Sequence, residues 1–177
     1  MTNLLRSHPF YYPYMEQTIT MTTYPAHTKS VKITATPKDV WKALTEPESL
    51  AQWMLGAQIE SKWTLGSEIT FSVRMPGFPE TFEDRGTVLS IAAEKLLKYS
   101  HWSEASGLPD LPENRTLITF LLDSEDCQTT LTVRHEDFSS ETAYKHANFF
   151  WNYALNDVKK LVETERCARE QIRSSSW

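Results

Sequence analysis

The feature that most constrains this chain is a switch in its hydrophobic period. From Glu68 to His135, apolar residues recur at every second position in short runs. From about Thr142 onward they recur at every third and fourth. Ile69, Phe71 and Val73 alternate with polar neighbours, and so do Leu131 and Val133. A period of two marks a strand with one buried face, and a period near 3.6 marks an amphipathic helix. The strands predicted this way cover residues 28–35, 57–61, 68–74, 81–91, 95–102, 115–122 and 129–135. Pro76-Gly77-Phe78-Pro79, the Gly- and Pro-bearing segment 103–114 and the acidic run Asp123-Ser124-Glu125-Asp126 supply the turns. The final segment, Thr142 to about Arg166, places Ala147, Phe150, Trp151, Ala154, Leu155, Val158, Leu161 and Val162 on one helical face. Short strands joined by turns form an antiparallel sheet, and one long helix must cover one side of it. The expected class is α+β, with roughly six to seven strands curved against a C-terminal helix.

Two short helices interrupt the strands near the start. Thr36-Pro37 opens the first, with Thr36 as cap, proline at the first helical position and Asp39 in the first turn. Thr45-Glu46-Pro47-Glu48 opens the second, which buries Leu50 and Trp53. Residues 1–27 hold Pro9, Pro13 and Pro25 with no regular period, and read as a tail. Residues 28–166 are expected to form one domain and 167–177 a frayed end. Gly86 lies inside the longest predicted strand and is expected to mark a bulge or bend.

Composition excludes several partners. The formal charge is −5 and the pI about 5.6, so nucleic acid and anionic lipid, which need a basic face, are not expected. No run approaches the ~20 apolar residues of a membrane span. The two cysteines, Cys127 and Cys167, form no paired motif and fit a reducing, cytoplasmic setting.

Several strings resemble a known family. Thr36-Pro37-Lys38-Asp39-Val40-Trp41-Lys42-Ala43-Leu44-Thr45-Glu46-Pro47 with Trp53 is similar to the opening of the START-like helix-grip superfamily. Within it the string sits close to the activator of heat-shock protein 90 ATPase homologue group. Gly86-Thr87-Val88-Leu89 with residues 95–102, then residues 130–138, then Trp151 with Leu155 and Leu161, follow in that family's order. The resemblance covers roughly residues 28–165. It implies a helix-grip fold with an apolar cavity between sheet and helix. Relatives bind lipids, hormones or polyketides, some act as cyclases, and the eukaryotic namesake binds the chaperone. That namesake carries a separate N-terminal chaperone-binding domain, which a chain of this length is not expected to hold. The expectation is therefore a binding module for a small hydrophobic or aromatic ligand. A chaperone cofactor is the alternative, and an enzyme using a cavity histidine a further one.

No nucleophile elbow, metalloprotease helix, Walker loop or dinucleotide fingerprint is present, and the chain has only 5 glycines. No metal or cofactor is expected. Strand alternation, extended to the helices, gives an expected cavity lining. It comprises Trp41 and Trp53, Phe71 and Val73, Leu97, Tyr99 and His101, Ile118 and Phe120, Leu131, Val133 and His135, and Phe150, Trp151 and Ala154. His101 and His135 are its polar members, read first as core or rim histidines bonded to backbone carbonyls. No carboxylate is visibly paired with either. Glu83, Asp84 and Arg85 read first as a solvated face. An edge strand left open could pair with a second copy, so a homodimer is also in view.

Overall fold

The computed structural model describes residues 24–74 and 81–175. Most of the predicted N-terminal tail and the turn at 76–79 lie outside the described residues. Among the described residues the order is β1 (His27–Ile33), α1 (Pro37–Thr45), α2 (Pro47–Trp53), β2 (Gln58–Ser61), β3 (Glu68–Arg74), β4 (Thr81–Ala92), β5 (Leu96–Ser103), β6 (Thr116–Glu125), β7 (Gln128–Glu136) and α3 (Glu141–Ser174). Two short 3-10 turns, Glu104–Ser106 and Pro112–Asn114, lie between β5 and β6. The strands form one antiparallel sheet in the order β1-β7-β6-β5-β4-β3-β2. The long insertion of α1 and α2 sends the chain from one sheet edge to the other, and hairpins then lead it back.

The helix starts follow the local chemistry. Thr36 accepts a hydrogen bond from the Asp39 amide at 3.3 Å, which satisfies one of the free donors of the first turn. Pro37 and Pro47 each occupy the first helical turn, where no amide donor is needed. Ser140 caps α3 through the Ala143 amide at 3.1 Å. Helix α3 runs on to Ser174, eight residues beyond the predicted end at 166. Its last turns have no apolar face. They are held by ion pairs instead, with Arg166 on Glu170 at 2.8 Å and Arg169 on Asp39 of α1 at 2.7 Å.

One face of the sheet is the core. Ile33, Ile69, Phe71, Val88, Leu97, Tyr99, Ile118, Phe120, Leu131 and Val133 are buried there against Trp151, Ala154, Leu155, Val158 and Val162 of α3. Trp53 plugs the end near α2 and donates its indole N–H to the Ala43 carbonyl at 2.8 Å. Two details differ from expectation. The β6–β7 hairpin is tighter than the acidic run implied, because β6 extends through Glu125 and only Asp126 and Cys127 form the loop. The irregularity in β4 is at Val88–Ser90, not at Gly86. Gly86 is needed for a different reason: a Cβ there would stand 2.4 Å from the Ser100 carbonyl oxygen of β5.

The outer edge of β1 is not left bare. Lys159 donates to the Lys32 carbonyl at 2.8 Å, the Thr34 amide donates to Glu163 at 2.8 Å, and Arg166 donates to the Thr34 carbonyl at 2.7 Å. Side chains of α3 thus occupy the backbone groups that another strand would use. The other edge, β2, is four residues long.

Candidate functional site

Near one end of the core face the inward positions turn polar. Asp84 on β4, His101 on β5, Thr116 on β6, His135 on β7 and His27 on β1 follow one another across the sheet. Cross-strand register sets this row: His101 faces Thr116, and His27 faces His135. Asp84 packs beside His101, because Gly86 is the residue opposite His101 and Asp84 is two positions away. In β4 up to Val88 the even-numbered residues point inward, as buried Gly86 and Val88 show, and Asp84 shares that face. The solvated reading of Asp84 is therefore corrected, while Glu83 and Arg85 are exposed. The expectation that no carboxylate partners a histidine is also corrected. Asp84 Oδ2 lies 3.2 Å from His101 Nε2, with the two side chains 16% and 21% exposed.

The hydrogen bonds have a fixed direction. The Trp151 indole N–H can only donate, and it reaches His135 Nδ1 at 3.0 Å. His135 therefore carries its proton on Nε2, which donates to Thr116 Oγ1 at 2.8 Å. Thr116 passes the chain on to the His101 carbonyl at 3.3 Å. His135 is thus a buried histidine, but it bonds two side chains and no carbonyl. His27 is the one that donates to a carbonyl, that of Tyr144 at 2.9 Å, while stacking on the Tyr144 ring at 4.0 Å. Asp84 also anchors a loop. Its Oδ1 accepts from Ser103 Oγ at 2.8 Å and from the Glu104 amide at 3.1 Å, which pins the start of the 104–115 segment. The same loop is closed by a two-point Arg115–Asp110 pair at 2.8 and 2.9 Å.

His135 is 8% exposed. Burial, followed by the charges of His101 and His27, pushes its pKa down to about 3. Protonation would also set an N–H against the Trp151 N–H. The unfolded chain binds this proton near pH 6.5 and the folded chain does not, so stability is full above about 6.5 and falls as pH drops toward 3. The expected slope is about 1.4 kcal/mol per pH unit between those limits. Urea midpoints from about pH 4 to 7 should show it in the wild type and lose that share in a His135→Gln variant. Equal slopes in both proteins would contradict the assignment. A histidine with both ring nitrogens engaged and held neutral is a poor acid–base catalyst, so of the two histidines considered for an enzymatic role His135 is the weaker candidate.

Beyond the polar row lies an aromatic wall. Phe120 meets Trp151 at 5.7 Å, Trp53 at 6.4 Å and Tyr99 at 6.3 Å, and Phe71 meets Tyr99 at 6.2 Å and His101 at 5.4 Å. Tyr99 is 4% exposed, and burial pushes its phenol pKa up. Its hydroxyl has no hydrogen-bond partner among the described residues. Of the predicted lining, Trp53, Phe71, Leu97, Tyr99, Ile118, Phe120, Leu131, Val133, His135, Trp151 and Ala154 are buried. Trp41, Val73, His101 and Phe150 are partly buried. A separate groove of about 460 Å³ lies on the outer side of α3, lined by Asn156, Lys159, Lys160, Glu163, Thr164 and Cys167. It shares no residue with that set. His27 and Thr116 were not foreseen. Alternation with Ile118 and Phe120 places Thr116 inward, whereas His27 lies in the segment expected to be a tail.

Residues 34–163 match the family model described as Activator of Hsp90 ATPase homolog 1-like protein. The chain belongs to this family. Solved structures agree on the fold of this family member. The protein ChR145 from Cytophaga hutchinsonii is 31% identical over 83% of this chain and 99% of its own, with a TM-score of 0.69. The Aha1 dimer from Colwellia psychrerythraea is 22% identical over 79% of this chain and 97% of its own, at 0.62. CalU16 from Micromonospora echinospora is 20% identical over 86% and 85%, at 0.59. No curated protein matches the chain. Among the described residues no cluster of His, Cys, Asp or Glu could hold a metal ion, and no helix is long and apolar enough to cross a membrane.

Proposed function

We propose that this family member binds a small, largely apolar molecule between the core face of its sheet and α3. The observation that carries the reading is the Tyr99 hydroxyl. Buried polar groups in folded proteins are almost always paired, because an unpaired one costs about 1–3 kcal/mol. Among the described residues no fully enclosed side-chain polar atom lacks a partner. The unpartnered Tyr99 hydroxyl is therefore not fully sealed in, which leaves it open to a partner from outside the chain. A phenol lodged among Phe71, Phe120 and the rest of the aromatic wall is explained if that guest supplies its partner. The polar row beside it gives such a guest an orientation, and the apolar wall gives it affinity. The family supports a ligand-binding module of this general kind.

A second reading is a protein-docking role of the chaperone-activator type. It draws on Phe149 and Tyr153, which stand 65% and 58% exposed on the outer side of α3 with their rings 4.9 Å apart. Native mass spectrometry of gently purified protein separates the two. Extra mass of a few hundred daltons, lost on denaturation, is the expected result. A bare chain mass, together with a chaperone in the same fractions, would overturn the first reading in favour of the second. A bare dimer would instead point to pairing of the kind seen in the Colwellia relative.

A further inference from the structure

His101 and Tyr99 are two residues apart on β5, so they project from the same face. Phe71 touches both rings, at 5.4 Å and 6.2 Å. Each carries one polar atom with no hydrogen-bond partner among the described residues. Asp84 can only accept where it meets His101, so the proton of a neutral His101 is on Nε2. That leaves Nδ1 as a lone-pair acceptor with no partner among the described residues. The carboxylate also fixes the ring orientation, as carboxylates commonly do for histidine. Tyr99 supplies the complement: burial disfavours its charged form, so its hydroxyl stays a donor. The rest of the polar row is already bonded. Both nitrogens of His135 are engaged, and His27 is bonded to Tyr144.

We propose that His101 Nδ1 and the Tyr99 hydroxyl form the polar grip of the site and that its guest is an aromatic molecule bearing a hydroxyl group. This rests on the ligand-binding reading and narrows it. A hydroxyl both donates and accepts, so it satisfies an acceptor and a donor together. A carboxylate would place two acceptors against the imidazole lone pair. The cation just before β6, Arg115, is bound to Asp110 and to Ser100, a residue of the opposite sheet face. An ammonium would leave the Tyr99 donor unmet. The walls, Phe71, Phe120 and Trp151, favour a flat aromatic body.

The test uses two probes of one shape, 2-naphthol and 2-methylnaphthalene, titrated into isotope-labelled full-length protein and followed by NMR. The wild type is expected to prefer 2-naphthol by roughly fivefold to tenfold, the worth of one to two net hydrogen bonds. The Nδ1 resonance of His101 should move with 2-naphthol only. Tyr99→Phe keeps the ring and removes only the hydroxyl. It should erase most of the preference and leave 2-methylnaphthalene binding unchanged, and His101→Phe should do the same. Equal affinity of the wild type for both probes would overturn the hydroxyl grip while keeping the apolar site. A preference that survives Tyr99→Phe and His101→Phe would overturn the assignment of these two residues. Binding of neither probe at their solubility limits would overturn the grip and the ligand-binding reading together.

Discussion

Trp151→Ala is expected to destabilise the protein by about 4 kcal/mol. Truncation of a buried tryptophan typically costs about 3–5 kcal/mol, part lost transfer energy and part the cavity left behind. Trp151 is 3% exposed and its ring contacts Trp53 at 6.5 Å, Phe120 at 5.7 Å and His135 at 6.2 Å. The substitution also strips from His135 Nδ1 its one donor among the described residues, leaving a buried lone pair unmet. A drop in melting temperature of about 10 °C or more follows for a chain of this size. Trp151→Phe separates the two causes. It keeps an aromatic filler and removes the N–H, and should cost about 2 kcal/mol. It should also flatten the dependence of stability on pH, because His135 is then freer to take a proton. A cost below about 1.5 kcal/mol for Trp151→Ala, measured from urea midpoints, would show that α3 is not anchored through this ring.

Gly86→Ala is expected to cost about 3 kcal/mol through the opposite fault, too much matter in too little space. The added carbon would lie 2.4 Å from the Ser100 carbonyl oxygen, and that oxygen belongs to the backbone of β5, which cannot rotate aside. Relief requires β4 and β5 to part at the place where Asp84 reaches His101. Loss of stability should therefore come with a changed His101 ring resonance. Gly66→Ala is the control. Gly66 has a φ of +78° but no atom within 4 Å of an added Cβ. Only backbone strain of about 1 kcal/mol is expected there. Equal costs at the two glycines would mean that the sheet opens freely at Gly86 and that the close approach carries no energy.

Much of the fold was legible because it rests on neighbours in sequence. Thr36-Pro37 and Glu46-Pro47 start α1 and α2 where expected, since capping and proline placement act within one turn. Alternation assigned the inward face of β3, β5, β6 and β7 correctly. The reading failed where length was inferred from hydrophobicity. Helix α3 outlasts its apolar face, because Arg166–Glu170 and Arg169–Asp39 continue to hold it. It failed again at Gly86, where the strand is regular and the constraint comes from the neighbouring backbone.

The sequence by itself determined the element order, the antiparallel sheet under one helix, and an inward row that includes His101 and His135. Each of these follows from periodicity and from chemistry within a few residues. Only the tertiary structure decided what those histidines do. Asp84 and His101 are 17 residues apart, and His135 and Trp151 are 16 apart on different elements. Their meetings depend on the β4–β5 register and on where α3 crosses the sheet. Register is a collective property of all seven strands pairing at once, and no local pattern encodes it. The proton on His135, and the lack of a partner among the described residues for His101 Nδ1 and the Tyr99 hydroxyl, all follow from that collective choice.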